Sequence, residues 1–139
     1  FKSESESDPP SITMARAHLF KLLALMHDPM VLELSNKIFE EFVTKQIEID
    51  PEIAISVYRV VLQNATNRTK YDFLIKLMTD NPDYQENVLA SIGFVNTMGL
   101  MTEVLNLSLG SLVKNQDKTA IFSSVRWNKN LDYMAWDFV

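Results

Sequence analysis

The sequence predicts an all-α fold, and three observations predict it. Only three glycines occur in 139 residues. Leu, Met, Ala, Ile and Val recur at three- and four-residue spacings along most of the chain, which is the period of a helix with one apolar face. A punctuation mark also recurs, because Asp28-Pro29, Asp50-Pro51 and Asn81-Pro82 each stand in front of such a stretch. A cap residue followed by proline at the first helical position is a helix start.

The opening "KSESESDPPS" alternates serine and acid and ends on two prolines, a composition that cannot build a core. Residues 1–11 therefore read as a flexible linker and residues 12–139 as a helical-repeat domain. The first helix is "ITMARAHLFKLLALMH", with Met14, Ala17, Leu22, Leu25 and Met26 at helical spacing, and it stops before Asp28-Pro29. The second is "PMVLELSNKIFEEFVTKQ" and the third "PEIAISVYRVVLQNA", opened by Asp50-Pro51. "NATNRT" breaks that helix, "RTKYDFLIKLMTD" forms the fourth, and Asn81-Pro82 opens the fifth, "PDYQENVLASIGFV". Asn96 or Thr97 caps the sixth, "MGLMTEVLNLSL". After the loop "GSLVKN" comes Gln116-Asp117, where the aspartate is expected to cap a seventh helix by accepting its orphan amide hydrogens. Asn130 starts an eighth.

Helices of this length joined by short loops describe an α-α superhelix of HEAT- or armadillo-like antiparallel helix pairs. Such arrays close on a repeat with a polar outer face, whereas "AWDFV" ends on Trp136 and Phe138 without cap, glycine or polar tail. The expectation is a fragment of a larger helical domain, truncated at its C-terminal end, with an exposed apolar end through which it would dimerise or pack.

The composition excludes several functions. With no cysteine, thiol nucleophiles, zinc-thiolate sites and disulfide frameworks are ruled out. A formal net charge of -5 argues against binding nucleic acid or an anionic membrane surface, which needs a basic stripe. No apolar run reaches membrane-spanning length, and the first residues lack the basic and apolar regions of a signal peptide.

Chemistry is sparse. His18 and His27 lie on opposite faces of one helix and cannot share a metal without outside ligands. No H-E-x-x-H, G-x-S-x-G, glycine-rich phosphate loop or calcium-binding loop occurs. The adjacent Glu40 and Glu41 point about 100° apart on a helix and read as a solvated face. The seven methionines are scattered and read as core filler. Arg126-Trp127 and Trp136 are residue types favoured at interfaces, although for Trp136, with Phe138, packing of the last helix on the seventh is the better reading. Asn64, Asn67 and Asn106 each begin an N-x-[ST] sequence where chance gives about one or two, weak evidence for secretion, and the third falls inside a helix.

The region from Val88 to Val139 carries a resemblance. Ser91-Ile92-Gly93, then Lys114-Asn115-Gln116-Asp117, then Ala135-Trp136-Asp137-Phe138 stand in the order and spacing of the C-terminal helical domain of M1-family zinc aminopeptidases. Upstream, "HLFKLLALMHDPMVLELSNKIFEEFV" is similar to a helix pair of that family, and the loop before Gln116 resembles the puromycin-sensitive type most closely. "RWNKN" stands where the family usually has a glycine between the last two helices.

The resemblance implies a parent that holds zinc in an upstream catalytic domain and removes N-terminal residues from peptides by metal-activated water. It implies that this chain has no catalytic residue, no metal ligand and no cofactor of its own. Its role would be to pack on the catalytic domain of the same polypeptide and enclose the peptide-substrate cavity. Lys114 and Arg126 are the candidates to face that cavity, or an interface, and attract a peptide carboxylate, while Gln116, Asp117, Trp136 and Phe138 are structural motif residues. The alternative is a HEAT-like protein-interaction scaffold, including one in a catalytically inactive M1 relative. The expected partners are the catalytic domain and peptide, without nucleic acid or membrane contact, and the expected compartment is the cytoplasm, with a secreted or membrane-anchored parent as the alternative.

Overall fold

The computed structural model describes residues 10–26, 28–110, 113, 115–128 and 131. His27, Lys114, Trp136, Phe138, the helix start at Asn130 and residues 1–9 of the linker lie outside them. The described residues form seven α-helices and no strand: α1 Pro10–Leu25, α2 Pro29–Lys45, α3 Ala54–Gln63, α4 Thr69–Asp80, α5 Gln85–Ser91, α6 Met98–Leu107 and α7 Lys118–Arg126. The fold is all-α, as the periodicity predicts. Pro10 and Ser11, expected in the linker, are already the first residues of α1.

The chain divides into two compact units, Phe1–Val61 and Leu62–Val139. In the first, α1 buries Ala17, Phe20 and Ala24, while Leu22, Leu25 and Met26 are exposed. The periodicity of α1 thus marks two apolar faces, of which the one carrying Ala17, Phe20 and Ala24 is covered. Asp28 starts α2 as expected: its Oδ1 accepts from the backbone amides of Met30 at 2.9 Å and Val31 at 3.3 Å, with Pro29 in the first turn. The helix buries Val31, Ser35, Phe39 and Phe42, a single stripe at three- and four-residue steps, and Phe39 meets Tyr58 edge to face with ring centroids 6.4 Å apart. Gln46 ends α2 in the left-handed conformation, φ 57°.

At Asp50-Pro51 the structure corrects the expected helix start. Asp50 Oδ1 accepts from the Glu52 amide at 2.9 Å and its carbonyl from the Ile53 amide at 3.0 Å, which closes a turn over 51–53. The first helical bond then runs from the Val57 amide to the Ile53 carbonyl at 2.9 Å, so α3 begins at Ala54. An aspartate side chain serves a turn as readily as a helix, and here the turn takes it.

In the second unit, α4 buries Tyr71, Leu74 and Met78, and α6 buries Leu100, Met101, Val104 and Leu105. The expected fifth helix is a composite, with α5 lying between 3-10 turns at Pro82–Tyr84 and Ile92–Phe94. Asn81 opens it by accepting from the Asp83 amide at 3.0 Å. Of the two caps considered for α6, Thr97 is the one used, accepting from the Leu100 amide at 3.2 Å. Against α5 and the Ile92–Phe94 turn lies α7, with Ile121, Ser124 and Val125 buried.

Asp117 does stand immediately before α7, but its side chain makes no capping hydrogen bond. Its backbone is already right-handed helical, φ -92° and ψ -12°, because the 3-10 turn Asn115–Asp117 runs directly into the helix. A capping carboxylate needs an extended backbone to reach the amides ahead of it.

Candidate functional site

The break "NATNRT" becomes the corner between α3 and α4, and it is held from a distance. Asn96 Nδ2 donates to the carbonyls of Gln63 at 3.2 Å and Ala65 at 2.7 Å, tying the corner to the residue before the Thr97 cap. Within the corner, Asn67 Oδ1 accepts from the Thr69 amide at 3.0 Å, the Asx turn from which α4 starts. Arg68 comes next. Its Nε lies 3.0 Å from Asp72 Oδ2, one helical turn on, and its Nη2 donates to Asp72 Oδ1 at 3.1 Å and Glu103 Oε1 at 2.9 Å.

Arg68, Glu103, Asn67, Asn96 and Leu100 are among the residues lining an open cavity of about 470 Å³ in this unit. The hydrogen bonds and charges of Asp72 and Glu103 hold the guanidinium pKa above its ordinary value. One cation shared by two carboxylates leaves the group with an excess negative charge, so the cavity does not favour a carboxylate or phosphate. Beside it, burial first and the Glu103 charge second push the Tyr71 phenol above its ordinary pKa, keeping it neutral. The cavity amounts to an open recess, lined mostly by apolar atoms, with the Arg68–Glu103 pair among its lining residues.

A second groove of about 470 Å³ lies in the first unit, floored by Ala17, Leu34 and Ile38 and edged by Lys37, Glu41 and Asp50. Glu41 is half-buried beside this groove and Glu40 is exposed, so these adjacent acids face different surroundings, as the helical step dictates.

Of the residues singled out in the sequence, Arg126 is exposed in the last turn of α7, where a cation faces the partial negative charge of the helix end. Trp127 beside it is 66% exposed. Gln116 is exposed and Asp117 half-buried on the 3-10 turn at the other end of α7. His18 is exposed on α1. Among the described residues no group of three or more His, Cys, Asp or Glu is placed to hold a metal ion. No helix among them is long and apolar enough to cross a membrane.

The sequence reading missed the Arg68 cluster and Asn128. Arg68 and Asp72 were findable as an i,i+4 pair, but Glu103, 35 residues away in the chain, was not. Asn128, inside "RWNKN", is 6% exposed, and its Nδ2 donates to the carbonyls of Gly93 and Val95, each at 2.8 Å.

A model of the ERAP1-like C-terminal domain family matches residues 1–139. The chain is similar to the glutamyl aminopeptidase of Bos taurus, 25% identical over 129 residues that make up 91% of this chain and 14% of that protein. The glutamyl aminopeptidase of Sus scrofa is 23% identical over the same coverage. Aminopeptidase M1-D of Oryza sativa subsp. japonica is 28% identical over 111 residues, 77% of this chain and 13% of that protein. The chain spans about 14% of the length of the glutamyl aminopeptidases it matches. The puromycin-sensitive subgroup rests on loop length alone.

Proposed function

The chain belongs to the ERAP1-like C-terminal domain family of M1 aminopeptidases, and from that premise we propose that it is the non-catalytic helical wall of a peptide-trimming enzyme. It packs on the zinc-bearing catalytic domain of the same polypeptide and encloses the cavity in which peptides lose their N-terminal residues. The observation that carries the proposal is the family match over residues 1–139, together with relatives that are themselves named aminopeptidases. The chemistry of the chain supports it. Among the described residues Arg68 is engaged by carboxylates and the buried Ser124 hydroxyl by backbone groups. A wall needs shape and stability rather than a nucleophile.

The test is hydrolysis of aminoacyl and longer peptide substrates by the full-length enzyme, with and without this domain, folding being checked by circular dichroism. Loss of the domain should change the dependence of kcat/KM on peptide length while the catalytic domain stays folded. An unchanged length profile would remove the wall. A full-length protein that is folded, free of zinc and inactive would favour the interaction scaffold.

A further inference from the structure

We propose that Asn67 is an N-glycan acceptor, presented to solvent by the corner between α3 and α4. Three N-x-[ST] sequences begin at Asn64, Asn67 and Asn106, and the geometry separates them. Asn106 lies in the last turn of α6, and the hydroxyl of its partner Ser108 is buried, donating to the Leu105 carbonyl at 2.6 Å. Reaching that hydroxyl would require unwinding the end of the helix. Around Asn64 the carbonyls on both sides, from Gln63 and Ala65, are held by Asn96. That stretch of backbone is tied down before and after the acceptor.

At Asn67 none of these obstacles applies. Asn67, Arg68 and Thr69 are all exposed. The bond from the Thr69 amide to Asn67 Oδ1 folds the three residues into an Asx turn at the start of α4. Arg68, the long middle side chain, is drawn off by its bonds to Asp72 and Glu103. An exposed loop is the setting in which a bulky, solvating sugar can be borne without displacing packed groups.

The reaction joins Asn67 Nδ2 to the anomeric carbon of an N-acetylglucosamine carried on a lipid diphosphate. The carbon-oxygen bond to the diphosphate breaks, the lipid diphosphate leaves, and the amide nitrogen gives up one proton. Two consequences follow for the whole protein. It passes through the secretory pathway, contrary to the cytoplasmic expectation from sequence. The α3–α4 corner also lies outside any face that the catalytic domain covers, so the glycan can stand even if the proposed wall does not.

The experiment takes the full-length protein from eukaryotic cells and removes N-glycans with peptide-N-glycosidase in ¹⁸O water, which converts each glycosylated asparagine to a labelled aspartate. Trypsin then releases residues 60–68, which contain both Asn64 and Asn67, and fragment ions assign the label. The expected result is label at Asn67, lost in Asn67→Gln and in Thr69→Ala and kept in Thr69→Ser. An unlabelled Asn67 in the wild-type protein overturns the proposal, whether or not Asn64 or Asn106 carries label. Because the assignment is made on the wild-type chain, it does not depend on any variant folding.

Discussion

The backbone amide of Gly93 donates to the side-chain oxygen of Ser124 at 2.9 Å, inside the second unit and away from solvent. The same hydroxyl donates to the Ile121 carbonyl at 2.8 Å, so one serine joins the Ile92–Phe94 turn to the body of α7. This bond requires an approach that only glycine permits. A Cβ at Gly93 would meet the Val125 nitrogen and the Ser124 hydroxyl, and would stand 2.6 Å from the Ser124 carbonyl carbon. Glycine here serves close packing, since its φ is not positive.

Gly93→Ala is therefore expected to destabilise the chain by about 3 kcal/mol, at the upper end of ordinary overpacking because the obstructing atoms are backbone. Urea unfolding followed by circular dichroism measures it. A loss within about 0.5 kcal/mol, the range of ordinary surface changes, would mean that α7 does not sit this close.

Asn128→Ala should cost about 2 kcal/mol, because it strips one donor from two buried carbonyls at once. The same unfolding experiment checks it, with Gly93→Ala/Asn128→Ala as the double variant. Both residues act on one turn, so the two losses should combine to less than their sum.

Asp28→Ala removes the acceptor of two amide hydrogens at the start of α2 and should cost about 1 kcal/mol. Asp117→Ala, at the corresponding position before α7, should cost less, since its carboxylate accepts no capping bond. Equal losses in urea unfolding would contradict the two cap geometries.

The pH dependence at the alkaline end should report Tyr71. Its phenol is held above the ordinary value by burial and by the Glu103 charge, while in the unfolded chain it ionises near about 10. The folded state therefore binds the proton more tightly. The resulting stability is complete below the unfolded pKa and is lost as pH rises past it. The urea midpoint should fall above about pH 10, and Tyr71→Phe, which has nothing to ionise, should lessen that fall. A fall of the same size in both proteins would remove Tyr71 from the account.

The candidate site was much less legible in the sequence than the fold. Arg126 and Lys114 drew attention by charge and flanking position, but Arg126 is an exposed residue at a helix end and Lys114 lies outside the described residues. The cluster that does form, Arg68 with Asp72 and Glu103, lies in a stretch read only as a helix break and a helix start. A side chain's partners across 35 residues of sequence depend on how helices pack, which no local pattern encodes.

The helical class and the starts of α2 and α6 were determined by the sequence alone, because a capped helix start is decided within one turn. Asp28 and Thr97 bond amides two or three residues ahead, whatever the rest of the chain does. Tertiary structure decided which face of α1 is covered and why Gly93 must lack a side chain. It also gave Asn128, in a segment that departs from the family pattern, two carbonyls to hold. The roles of Gly93 and Asn128 require α7 to lie against the Ile92–Phe94 turn, and segments some thirty residues apart meet only when burial of their apolar faces outweighs the entropy of closing the chain between them.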